Sequence, residues 1–165
     1  TRLAQRLMRA GLLIRLGHGL FAHQSTSRFG PVPPRDEAIA QAFLGDAHFV
    51  FTGSPRWNAL GLGATAVFAG ALVYNTKRSG SFWFGGRRFD FRRVAFPLDP
   101  PPEWFVVDLF EHAEEAGVAR EDLAAALARA VPAGRFDRHV LGEMALRFGT
   151  KRTQALIARA CEPPT

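Results

Sequence analysis

Apolar positions along this chain keep a helical period at its start, break into short runs in the middle, and return to a helical period in the last third. In residues 2–10, Leu3, Leu7 and Ala10 fall at the i, i+4, i+7 spacing of one helix face, while Arg2, Gln5, Arg6 and Arg9 occupy the other. Gly11 is placed to end that helix in the left-handed conformation. Two short β-prone runs then flank Gly17-His18-Gly19, where little resists positive φ angles, so this stretch predicts a hairpin.

Residues 25–34, with Ser25-Thr26-Ser27 and Pro31-Val32-Pro33-Pro34, read as an extended, semi-rigid linker. Beyond it a helix is expected from Asp36, with Ile39, Ala42 and Phe43 on one face and its stop at Gly45. Residues 48–52 predict a buried strand, followed by a short helix capped by Ser54, with Pro55 in its first turn and Trp57 and Leu60 turned inward. Three β-prone runs, 71–76, 81–84 and 88–96, separated by Ser79-Gly80 and Gly85-Gly86, predict an antiparallel meander with phenylalanines on one face. After Asp99-Pro100-Pro101-Pro102 four helices are expected, at 103–116, 121–131, 136–148 and 151–160. The last is capped by Thr150, with Leu156 as its apolar anchor. Strands followed by helices argue for an α+β domain, so the expected organisation is a partial winged helix over residues 1–24, a linker over 25–34 and an α+β domain over 35–165.

A helix followed by a wing-like hairpin matters because a winged helix sets its recognition helix in the DNA major groove, where arginine donates two hydrogen bonds to guanine. Arg2, Gln5, Arg6 and Arg9 are the candidate helix contacts, and Arg15 and His18 those of the wing; an ordinary amphipathic helix with solvated arginines is the alternative. A complete winged helix places two more helices ahead of the recognition helix, so these residues are expected to be its rear half, packed on the rest of the chain. Thr150 to Gln154, including Lys151 and Arg152, lies at a helix N-terminus that would suit a phosphate if helices 136–148 and 151–160 formed a second DNA-reading helix-turn-helix, although a plain helical hairpin finishing the core is the preferred account of the spacing.

The 165 residues carry a formal charge of +6, which favours an anionic partner such as nucleic acid. Nearly all the cations are arginines, with lysine only at Lys77 and Lys151, so their placement says more than their number. Glu103, Asp108, Glu111, Glu114, Glu115, Glu121 and Asp122 are expected to form a solvated acidic face turned away from nucleic acid. One cysteine, Cys161, excludes an internal disulfide or a multi-cysteine zinc site, and the dispersed histidines suggest no metal. No nucleophile signature or phosphate loop is present, so no cofactor and no enzymatic activity are expected. The weakly polar stretch 59–74 is interrupted by Gly61, Gly63 and Gly70 and does not read as a membrane span, which makes the cytoplasm the expected location.

The chain resembles the AbiEi-like antitoxins of bacterial type IV toxin–antitoxin systems, which act in abortive phage infection. The likeness rests on Arg15-Leu-Gly-His-Gly-Leu-Phe-Ala22, Pro34-Arg-Asp-Glu-Ala-Ile-Ala40, Phe51-Thr-Gly-Ser-Pro55, Asn58-Ala-Leu-Gly-Leu62, Val73-Tyr-Asn-Thr76 and Phe148-Gly-Thr-Lys-Arg-Thr153. It implies a transcriptional autoregulator whose winged helix binds double-stranded DNA at its own promoter, as a homodimer if the operator is palindromic. It also implies a second domain with an antitoxic role that need not touch the cognate toxin. Two other classes remain open: a nuclease-like domain using Asp90, Asp99 or Asp108 around a metal, and a protein-interaction module exposing the phenylalanine-bearing sheet.

Overall fold

A computed structural model describes residues 1–163. The chain runs α1 (Arg2–Arg9), β1 (Leu13–Gly17), β2 (Leu20–His23), β3 (Ser25–Ser27), β4 (Gly30–Val32), α2 (Asp36–Leu44), β5 (Phe49–Thr52) and α3 (Ser54–Ala59). It continues through β6 (Ala71–Asn75), β7 (Gly80–Phe84), β8 (Arg87–Arg93), α4 (Pro102–Glu111), α5 (Arg120–Ala130), α6 (Arg138–Phe148) and α7 (Lys151–Ala160). This is the expected α+β arrangement, with small antiparallel hairpins, one mixed sheet and helices toward the C-terminus. Among the described residues no helix is long and apolar enough to cross a membrane.

Two compact units interleave along the sequence, one from Thr1–Phe51 and Ala69–Val94, the other from Thr52–Phe68 and the chain from Ala95 on. The hairpin β1–β2, the helix α2 and most of the mixed sheet thus share the first unit.

In that unit the aromatic face of the sheet forms the core. Phe84, Phe89 and Phe91 are fully buried, Phe43 of α2 stacks on them, and Leu16 of β1 joins the same cluster. The interaction-module reading expected these phenylalanines at the surface; burial of several such side chains, each favourable by roughly 1.5–3 kcal/mol, keeps them inside.

The strand order β5-β6-β8-β7 corrects the expected meander: β8 lies between β6 and β7, parallel to β6 and antiparallel to β7. Gly85 and Gly86, both at positive φ, close the β7–β8 hairpin as their sequence suggests. After β6, however, the buried Asn75 side chain accepts hydrogen bonds from the Lys77 and Arg78 amides at 2.9 and 2.8 Å and donates to the Arg78 carbonyl at 2.9 Å. That side-chain turn carries the chain away instead of folding it back on β6, and β6, buried at every position, is covered by β8.

The stretch 25–34 is likewise no extended linker. β3 and β4 pair antiparallel, with Ser25 opposite Val32 and Ser27 opposite Gly30, so it folds back into a second hairpin.

In the second unit α4 is buried from Glu103 through Phe110, as a helix surrounded by others must be, and it packs against α3, α6 and α7. Two local expectations change here. Ser54 is the first residue of α3 and makes no cap; its hydroxyl instead accepts the Phe68 amide at 3.2 Å. The buried anchor of α7 is Ile157, accompanied by Thr153 and Ala160, with Leu156 only half-buried.

Candidate nucleic-acid interface

An eight-residue helix does not persist on its own, so α1 depends on its ends. Thr1 Oγ1 accepts the Ala4 amide at 3.3 Å, and at the other end Gly11, at φ 72°, donates to the Met8 carbonyl while Leu12 donates to that of Leu7. That pair of bonds is a Schellman closure, the stop expected of Gly11. Arg6 and Arg9 in the last turn also complement the helix dipole.

Arg2, Gln5, Arg6 and Arg9 are all exposed, and among the described residues the three arginines make no ion pair. The opposite face is covered less than the spacing implies. Leu3 is 65% exposed and Ala10 is exposed, whereas Ala4, Leu7 and Met8 are half-buried. Among the described elements β1 is the main neighbour of α1, and one strand covers one edge of the stripe.

The hairpin that follows is tied down. Leu16 is buried and its carbonyl accepts the Gly85 amide at 3.0 Å. Gly17, His18 and Gly19 all take positive φ, 133°, 48° and 75°, and a Cβ on Gly17 would lie 2.8 Å from the Trp83 carbonyl oxygen, so only glycine fits there. The His18 ring meets Phe82 and Phe84 edge-on, at centroid distances of 5.2 and 5.7 Å. Both wing candidates, Arg15 and His18, are exposed, and one side of the His18 ring also rests on the aromatic cluster.

Lys151 and Arg152 lie in the second unit, apart in the chain's organisation from the other six candidates. Both are exposed, but Arg152 is 3.3 Å from Glu121. The helix N-terminus beside them already holds an anion: Glu111 Oε1 accepts the Thr150 amide at 2.8 Å and its hydroxyl at 3.1 Å. A carboxylate thus lies at the cap residue of the helix terminus where a phosphate was expected.

The expected acidic face is also smaller. Glu103 is buried and accepts the Asp137 amide at 2.8 Å. Asp108 is 5% exposed; its Oδ2 accepts Thr52 Oγ1 at 2.6 Å and Trp57 Nε1 at 2.9 Å. His112 stacks on Trp57 and sets Nδ1 2.8 Å from the Asp108 carbonyl oxygen and 3.4 Å from its carboxylate. Nothing in the sequence spacing marks the Thr52, Trp57, Asp108 and His112 group, because Asp108 meets Thr52 and Trp57 across 56 and 51 positions of chain.

Burial alone would lower the His112 pKa, but the hydrogen bonds and charge of Asp108, with the charge of Glu115, outweigh it and raise it above the ordinary 6.5. A folded-state pKa above the unfolded one means that His112 contributes stability that is full below the unfolded value and is lost as pH rises through the folded one. We expect thermal stability to fall over that window, and His112→Gln to remove this component; a pH profile of the melting temperature unchanged by the substitution contradicts it. Cys161, half-buried at the end of α7, has its thiol pKa raised by burial against the pull of Arg138.

Charge separates by unit in a way the linear sequence hides. The first unit holds twelve Lys and Arg against four Asp and Glu, a net +8, and the second nine against eleven, a net −2. No carboxylate side chain occurs before Asp36, whereas Arg2, Arg6, Arg9, Arg15, Arg28 and Arg35 all precede it.

The carboxylates considered for a nuclease do not gather. Asp90 lies in the first unit against Ser81 and Arg88, Asp108 is enclosed in its own network, and among the described residues no three His, Cys, Asp or Glu side chains form a metal-binding group. No family model, no curated protein and no solved structure matches this chain.

Proposed function

We propose that this chain is a DNA-binding transcriptional regulator, an antitoxin-like autoregulator of a toxin–antitoxin operon, whose helix α1 reads duplex DNA while Arg15 on the adjoining hairpin contacts the backbone. The observation that carries the reading is the acid-free N-terminal stretch folded as a capped helix with Arg2, Gln5, Arg6 and Arg9 exposed, within a unit of net charge +8. Four side chains on one face of a helix suit base edges and phosphates of a major groove. The operon assignment rests on the resemblance to AbiEi-like antitoxins, and pairing of two copies on a palindromic operator and any contact with a toxin belong to the same proposal.

The test is selection of duplexes from a random-sequence pool by the full chain, compared with the DNA upstream of its own gene. Enrichment of one motif is expected, with the logarithm of the binding constant falling against that of salt with a slope of roughly −3 to −4, as four arginines each displacing a counterion would give. Binding without sequence preference, or no dependence on salt, removes the proposal.

A further inference from the structure

Phe29 is 86% exposed, the most exposed of the large hydrophobic side chains among the described residues, and it sits at the tip of the β3–β4 hairpin. A ring this exposed adds nothing to the core of the unit. The tip is also fixed: the Phe29 amide donates to Ser27 Oγ at 3.1 Å, that hydroxyl donates to the Gly30 carbonyl at 3.3 Å, and Gly30 takes φ 115°. The ring is therefore held outward by the backbone of the turn.

Its neighbours select the occupant. The Arg28 guanidinium lies 4.6 Å from the Phe29 ring centroid, so a cation accompanies the wedge wherever it goes. The first carboxylate in the chain is Asp36, beyond the hairpin, so the ribbon repels basic surfaces and suits an anion. Ser25 and Thr26 lie exposed on one strand, and their hydroxyls are the kind of donor that meets phosphate and sugar oxygens. On the other strand Pro31 has no amide to offer an added strand of protein, and Pro33 and Pro34 follow directly.

We propose that the β3–β4 hairpin is a second DNA-contacting element, in which Phe29 enters a base-pair step of duplex DNA from the minor groove as an apolar wedge and Arg28 meets the flanking phosphates. Apolar side chains delivered this way partly unstack the step they enter, and an arginine beside them offsets the charge of the narrow groove. The inference rests on the proposed reading of duplex DNA by α1 and adds to it an element outside the helix and the first hairpin.

The experiment uses the full chain and duplexes enriched from the random pool, with 2-aminopurine placed in turn at each position. Binding of the unaltered protein is expected to raise the fluorescence of one step severalfold. Phe29→Ala is expected to abolish that rise and weaken binding about tenfold, the scale of a single base–aromatic stack, while Phe29→Leu keeps most of both. Because the ring is exposed, neither substitution is expected to affect folding, which an unchanged melting curve checks. Equal fluorescence and affinity for Phe29→Ala and the unaltered protein overturn the wedge and leave the DNA reading by α1 intact. Failure of the unaltered protein to enrich any duplex overturns both.

Discussion

Replacing Arg2, Arg6 and Arg9 together by alanine is expected to cost the protein about a thousandfold or more in affinity for its preferred duplex. Each guanidinium set against a guanine edge discriminates by roughly 1–3 kcal/mol, and each one neutralising a phosphate contributes about one unit of the salt slope. The slope is therefore expected to become shallower by about two to three units, and the enriched motif to vanish. All three side chains are exposed and without an ion pair among the described residues, so packing within the folded chain is left as it was and the melting temperature is expected to stay put. Alanine also favours the helix as well as arginine does or better, which protects α1 from unwinding. A triple variant that still selects the same motif with the same salt dependence sinks the recognition role of α1. Comparison with Arg15→Ala then separates base reading from phosphate binding: removing a guanidinium that meets only the DNA backbone weakens all sequences alike.

The largest effect on stability is expected from Asp108→Ala. The carboxylate accepts from Thr52 Oγ1 and Trp57 Nε1, both in side chains almost wholly removed from water, and faces His112. Truncation leaves the hydroxyl and the indole N–H without this acceptor inside the second unit, and removes the group that raises the His112 pKa. Orphaned buried donors cost about 1–3 kcal/mol each, so a loss of roughly 3–5 kcal/mol is expected, which in a chain of this length lowers the melting temperature by about 10 °C. Asp108→Asn keeps an acceptor oxygen and is expected to recover part of the loss. A melting temperature within a degree or two of the unaltered protein for Asp108→Ala shows the network to be dispensable. Since Asp108 lies in a different unit from α1, neither substitution is expected to change the motif selected.

Many helix ends and tight turns were legible from local signals, although the Ser54 cap was not. Gly11 ends α1, Gly45 ends α2, Thr150 caps α7 through the Thr153 amide, and Gly17-His18-Gly19 and Gly85-Gly86 turn their hairpins, because φ preference and capping depend on a few neighbouring residues. Pairing was not. β8 pairs with both β6 and β7, after a turn that the Asn75 side chain closes, and no period in the sequence records that pairing. The hairpin within residues 25–34 was hidden for a related reason: serines and prolines suit a linker and a short ribbon alike.

For the candidate interface, residue identity in the sequence already determined the positive face of α1 and the closing turn that sets it, since a helix period of 3.6 residues places positions 2, 5, 6 and 9 together whatever surrounds them. Availability, by contrast, was decided only by the tertiary fold. Phe82 and Phe84 meet one side of the exposed His18 ring, Glu111 accepts the Thr150 amide beside Lys151 and Arg152, and burial turns Glu103 and Asp108 from surface charges into internal acceptors. The separation of charge into a unit of +8 and one of −2 is tertiary too, because each unit is assembled from two stretches of chain. Local geometry depends on neighbours a few residues away, which the sequence sets out in order; burial, pairing and net field depend on residues tens of positions apart, which only the folded chain brings together.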